Sequence, residues 1–236
     1  MIDTRTEEAP MRYEILHQPS YAVARVVLAP NESIRAESGA MVSMSPNVEI
    51  EAKMQGGFLK SLSRSILGRE SFFQTTLTSI GAPGEVLLAP ATPGDIAGIQ
   101  MNGIPYLVTS GCFLAAEQSL DMDTQWGGMR TFFAAEGLFM LRLMGVGLLL
   151  VSSFGGVHRI TLEPGQQYVI DNGHLVAFAE TTDYRVEKAA RGLISTFTSG
   201  EGLVTRFVGP GDVYLQTRSI DSFMSWLRPY LPSKND

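Results

Sequence analysis

Apolar and polar positions alternate along much of this chain with a period of two, the spacing of a strand with one buried face. Val48-Glu49-Ile50-Glu51 shows the pattern plainly, and Leu203 to Val208 puts Leu203, Thr205 and Phe207 on one side. Further strands are predicted over residues 12–16, 21–28, 33–36, 71–80, 85–89 and 213–217, where β-branched and aromatic residues gather. Two stretches keep a helical period instead. Phe58, Leu62 and Ile66, with Leu59 beside them, predict a short amphipathic helix or turn that carries Lys60 and Arg64 and ends at Gly68. Ile220, Phe223, Met224, Leu227 and Leu231 predict a second helix over 220–228, with Ser219 as N-cap and Pro229 near its end.

The strand pattern is punctuated in the same order three times. A strand-entry signature appears as Ser38-Gly39-Ala40-Met41-Val42, Ser110-Gly111-Cys112-Phe113-Leu114 and Asn172-Gly173-His174-Leu175-Val176. An alternating piece follows each one, then a glycine break at Gly56, Gly127 and Gly192. Next comes an acidic residue before a tiny one, at Glu70-Ser71, Glu136-Gly137 and Glu201-Gly202. A hairpin is then expected at Gly81–Gly84, Gly145–Gly147 and Gly209–Gly211. The period, about 60 to 70 residues, is longer than a solenoid rung and implies a small β-subdomain per copy. The chain therefore reads as all-β: three pseudo-repeated modules of sandwich or barrel type, with one or two short helices. One domain is expected over residues 12–219, with repeats at 21–89, 90–155 and 156–218, and a helix and tail over 220–236. Gly39, Gly111, Gly173, Gly209 and Gly211 are read as structural turn residues.

Residues 132–154 imitate a membrane span. Glu136 and Arg142 fall inside the run and Gly145-Val146-Gly147 cuts it, so two buried strands joined by a glycine turn are expected instead. Hydrophobic residues make up 44% of the 236 and charged residues 18%, which fits a globular chain. The net charge of −6 argues against a broad nucleic-acid-binding face. The single cysteine, Cys112, excludes an intrachain disulfide and a Cys-rich zinc site. The polar, acidic N-terminus has no apolar core of a signal peptide, and a cytoplasmic protein is expected, with membrane-peripheral placement as the alternative.

Chemistry-bearing motifs are few. His17, His158 and His174 show no metal-ligand spacing, and His174 sits where the other signatures carry Ala40 and Cys112, which marks a packing position. No Gly-x-Ser-x-Gly elbow, dinucleotide fingerprint or phosphate loop is present. Cys112 lies in an apolar run, where a buried, inert thiol is the default. Glu70, Glu136 and Glu201 recur at equivalent places, and pairing beside a turn explains them better than a cation ring does. No catalytic, cofactor or metal residue is assigned, and no cofactor is expected. Phe58, Lys60, Leu62, Arg64, Ile66 and Arg69 form the candidate membrane or partner contact, with a core-covering or oligomer-contact helix as the plainer reading.

The segments Ser38-Gly39-Ala40-Met41-Val42, Gly68-Arg69-Glu70-Ser71-Phe72-Phe73, Ser199-Gly200-Glu201-Gly202-Leu203 and Gly209-Pro210-Gly211-Asp212-Val213-Tyr214-Leu215-Gln216-Thr217 together resemble the TRAP-like family related to a mitochondrial-biogenesis protein, named in fungi for altered inheritance of mitochondria. The resemblance covers roughly residues 12–219. It implies an all-β fold of repeated modules related by pseudo-symmetry, and oligomerisation; it supplies no catalytic residues. The function expected is that of a non-enzymatic, homo-oligomeric scaffold or binding protein. The alternatives are a peripheral membrane organiser using residues 58–69, or a small-molecule or RNA binder by fold analogy.

Overall fold

The computed structural model describes residues 10–53, 74–123, 140–188 and 203–232. A leading strand, β1 (Arg12–Leu16), is followed by three blocks of six. The first holds β2 (Val23–Leu28), β3 (Ser33–Glu37), β4 (Met41–Met44), β5 (Val48–Lys53), β6 (Gln74–Ser79) and β7 (Gly84–Leu88). The second holds β8 (Ile96–Asn102), β9 (Tyr106–Thr109), β10 (Phe113–Glu117), β11 (Asp121–Asp123), β12 (Met140–Met144) and β13 (Val146–Ser152). The third holds β14 (Val157–Leu162), β15 (Gln167–Asp171), β16 (Leu175–Ala179), β17 (Asp183–Lys188), β18 (Leu203–Val208) and β19 (Gly211–Gln216). Helix α1 (Ile220–Leu227) follows, capped by Ser219 as its spacing predicts.

The strands form four antiparallel sheets, ordered β1-β2-β7-β4, β5-β6-β3-β10-β13-β8, β11-β12-β9-β16-β19-β14 and β15-β18-β17. These make a layered sandwich, and among the described residues no sheet closes into a barrel. The pairing rule is the same in each block. The second, fourth and fifth strands of a block pair together, as do its first, third and sixth. The two halves lie in different sheets, and a block's second strand pairs with the third strand of the next block. That junction is β3–β10 in one case and β9–β16 in the other.

The three expected hairpins are therefore corrected. β6 pairs with β3 and β5 while β7 pairs with β2 and β4, so the Gly81–Gly84 segment is a corner between sheets. The same holds for β12 and β13 at Gly145, and for β18 and β19 at Gly209–Gly211. Alternation reports which face of a strand is buried. It does not report whether two successive strands lie side by side or fold across a core. The signatures turn out to be corners too: Ser38–Ala40 takes the chain from β3 to β4, Ser110–Cys112 from β9 to β10 and Asn172–His174 from β15 to β16, the last two as single 3-10 turns.

Three apolar cores lie between the four layers. The two six-stranded sheets are covered on both faces, which accounts for the unbroken apolar runs in β10, β13 and β16. Leu148 and Leu150 of β13 point into the first core, and Leu149 and Val151 into the second. Residues 132–154, read as a span-like run, supply β12 and β13 to two different sheets, and no helix among the described residues is long and apolar enough to cross a membrane. The third strand of every block carries the same irregularity in its pairing with the sixth, between Met41 and Ser43, Phe113 and Ala115, and Leu175 and Ala177. A bulge of this kind turns two successive side chains to one face. Leu114 and Ala115 accordingly share the first core, and Val176 and Ala177 share the second.

Candidate functional site

A concave feature among the described residues lies beside α1. It is an open groove of 490 Å³ lined by Pro93, Phe154, Gly155, His174, Thr217, Arg218, Ser219, Ser222, Phe223 and Trp226. Phe154 meets Phe223 edge to face at 5.4 Å, and this contact anchors the helix. Phe223, Trp226 and Tyr230 then run outward as a ladder of rings 5.9 and 5.4 Å apart, with Trp226 61% and Tyr230 71% exposed.

Gln216, next to the lining residue Thr217, ties together backbone beside the groove. Its Oε1 accepts from the Phe154 backbone N–H at 2.9 Å, and its Nε2 donates to the Gly173 carbonyl at 2.9 Å. His174 Nδ1 lies 2.8 Å from the Gln216 carbonyl, so the ring is a donor used in packing. The Cys112 thiol, buried in its 3-10 turn, reaches Gln216 Oε1 at 3.9 Å. Two signature corners and the family-like Tyr214-Leu215-Gln216-Thr217 stretch thus meet at one amide. The role of Gln216 was not apparent beforehand, because a glutamine in a strand carries no spacing signal of its own.

A second polar cluster sits between the second and third blocks. Asp212 accepts from Arg159 Nε at 3.1 Å and Nη2 at 2.8 Å, and from the Thr161 hydroxyl at 2.6 Å. Burial pushes the Asp212 carboxyl up, but the bonds from Arg159 and Thr161 outweigh it and hold the group below its ordinary value. Burial, reinforced by Tyr214 and Asp212, pushes the Tyr106 phenol up to about 12, so it stays a neutral donor at neutral pH. Arg142 grips Glu180 in a bidentate pair, Nε to Oε1 at 2.9 Å and Nη2 to Oε2 at 2.6 Å. Arg35, lowered by burial, turns its guanidinium onto the Glu117 and Leu120 carbonyls of the β10–β11 turn. The Arg159–Asp212 and Arg142–Glu180 pairs answer their charge locally and brace neighbouring strands, while the buried Arg35 Nε has no hydrogen-bond partner among the described residues.

The predicted contact residues Phe58, Lys60, Leu62, Arg64, Ile66 and Arg69 lie outside the described residues, as do Glu70, Glu136 and Glu201. The turn glycines are spread over four corners. Gly39 has φ +88 and Gly211 φ +151. Gly111 and Gly173 sit inside the 3-10 turns, and Gly209 precedes a cis proline. A Cβ on Gly211 would stand 2.6 Å from Thr182 Cγ2, and one on Gly173 2.9 Å from Ser219 Oγ, whereas Gly39 and Gly111 have open space. His17, His158 and His174 are on separate elements, and no group of three or more potential metal ligands forms among the described residues.

Comparison with known proteins gives one consistent answer. The model of the mitochondrial biogenesis family AIM24 matches residues 13–218. An uncharacterised protein of Streptococcus pyogenes serotype M6 is 32% identical over 244 residues, covering 100% of this chain and 95% of its own length. The altered inheritance of mitochondria protein 24 of Verticillium alfalfae is 25% identical over 180 residues, covering 72% of this chain and 44% of the fungal one. The crystal structure of a Streptococcus pyogenes protein superposes with a TM-score of 0.76 at 31% identity, over 94% of this chain and 100% of that one. A match over residues 13–218 places the chain in the AIM24 mitochondrial biogenesis family.

Proposed function

We propose that this protein is a non-enzymatic scaffold of three repeated six-stranded modules that works as a cytoplasmic homo-oligomer. The observation that supports it most is an imbalance of exposure at the two ends of the layer stack. Met41, Val42 and Met44 of β4 are 37%, 55% and 37% exposed, and Tyr168 and Val169 of β15 are 41% and 44% exposed. Exposed apolar side chains on edge strands are a liability in a monomer and an asset in an assembly. The bonded charge clusters fit the same reading, because they stiffen layers. The family's description concerns mitochondrial biogenesis, and an assembly of braced sheets is a form in which an organising role is delivered.

The test is the solution mass with its consequence for stability. Light scattering on the eluting full-length protein is expected to give a multiple of 25.7 kDa. The thermal midpoint is expected to rise with protein concentration, as mass action requires when subunits stabilise one another. A 25.7 kDa species with a concentration-independent midpoint overturns the reading.

A further inference from the structure

We infer that copies of this chain join head to tail, with β15 of one pairing antiparallel with β4 of the next in the register Ser43 opposite Ile170, Met44 opposite Val169 and Ser45 opposite Tyr168. The inference rests on the oligomer reading above and specifies its interface.

The junction is already made twice inside the chain. β3 pairs with β10 through Ala36–Ala115, Arg35–Ala116 and Ile34–Glu117. β9 pairs with β16 through Val108–Ala177, Leu107–Phe178 and Tyr106–Ala179. Each time the second strand of a block meets the third strand of the following block. Among the described residues β15 and β4 are edge strands and are the two left without this partner. The shared bulge equates Met41 with Phe113 and Leu175, and Met44 with Ala116 and Phe178. The pairings of the fifth strands equate Tyr168 with Tyr106 and Ile34, and Val169 with Leu107 and Arg35. Transferring the two internal junctions through these equivalences gives the stated register with no free choice.

Burial tells the same story independently. β10 and β16 are buried almost throughout, whereas all four residues of β4 are exposed. Ile34 is 0% and Tyr106 8% exposed, yet their counterpart Tyr168 is 41% exposed. The three cores are unequal as well. Among the described residues seventeen buried side chains form the first, sixteen the second and eight the third. The first core is completed by Leu114, Ala115, Leu148 and Leu150 of the second block, and the second by Val176, Ala177 and Tyr214 of the third. Among the described residues the third core has no such contribution. In the inferred pairing Val42 and Ser43 of the next copy stand where Leu114 and Ala115, or Val176 and Ala177, stand inside the chain. Leu87 then takes the place of Leu150 and Tyr214. Met44 and Val169 meet on the opposite face, over the next copy's first core.

Two different strands make this contact, so it is heterologous, and its repetition gives a ring or an open filament. The test places cysteines at Met44 and Val169 in a full-length Cys112→Ala background; alanine is what the first signature carries at that place. Directly opposed residues have the Cα separation a disulfide needs. Oxidation of the Met44→Cys/Val169→Cys chain is expected to give a ladder of linked multimers. Met44→Cys alone and Val169→Cys alone are expected to stay unlinked, and their mixture to give only dimers. Self-linked dimers of either single variant would replace the inference with a two-fold interface. A linked species that remains monomeric would show closure within one chain. Absence of linking in a wild-type protein that is oligomeric by mass overturns this pairing and leaves the scaffold reading standing. Absence of linking in a monomeric wild type removes both.

Discussion

At Gly94 a Cβ would be driven into the Ser153 carbonyl oxygen, and no flexible side chain is there to yield. The residue bridges to Gly155 in parallel, the Gly155 N–H donates to the Pro93 carbonyl at 3.1 Å, and the Asp95 N–H donates to the Gly155 carbonyl at 2.9 Å. Gly39 is a glycine for another reason: its φ of +88 disfavours a Cβ while the space around it is empty. Gly39→Ala is therefore expected to cost about 1 kcal/mol, the strain of a left-handed residue. Gly94→Ala should reach or exceed the roughly 3 kcal/mol at the top of the overpacking range. Urea midpoints of the two variants compare them, and equal shifts would refute the distinction. Asp212 offers a second residue-level check. Its folded pKa lies below its ordinary 3.8, so the stability it contributes is present above 3.8 and is lost as pH falls through the lower folded value. Asp212→Asn is expected to be less stable than wild type at neutral pH, with the gap closing under strong acid. A gap unchanged by pH would show that packing, not charge, is what the carboxylate supplies.

β13 shows what a strand in a doubly covered sheet demands. Leu149 and Leu150 are neighbours in sequence and belong to different cores, both at 0% exposure. Truncation of either to alanine is expected to cost about 2–5 kcal/mol, since each removes a filled volume from a closed core. Denaturation curves in which one of the two is nearly silent would contradict the two-faced burial. At this scale the sequence spoke clearly about strand identity and obscurely about pairing. The alternation around Leu203 to Phe207 is there in β18, with Thr205 and Phe207 both at 0% exposure. The helical spacing after Ser219 is there in α1. The glycine corners were legible as turns, but a turn that joins paired strands and one that carries the chain to another sheet use the same residues. Gln216 and Arg35 were silent for a related reason: each acts through backbone groups remote in sequence, and a single polar residue in a strand announces no partner.

At the scale of the whole molecule the organising fact is that blocks in sequence are not compact units in space. Each six-stranded sheet takes half its strands from one block and half from the next, so the chain is laced together along its length. The oligomer mass and the disulfide ladder expected above extend that lacing from one chain to its neighbour. The lacing also sets a timetable. Leu88 ends the first block, yet the first core also needs Leu114, Ala115, Leu148 and Leu150. During vectorial synthesis the strands of that block leave the ribosome before the residues that seal it exist. A nascent chain therefore holds its first apolar surface open through the translation of most of the second block, the interval in which a chaperone or a neighbouring nascent chain finds it.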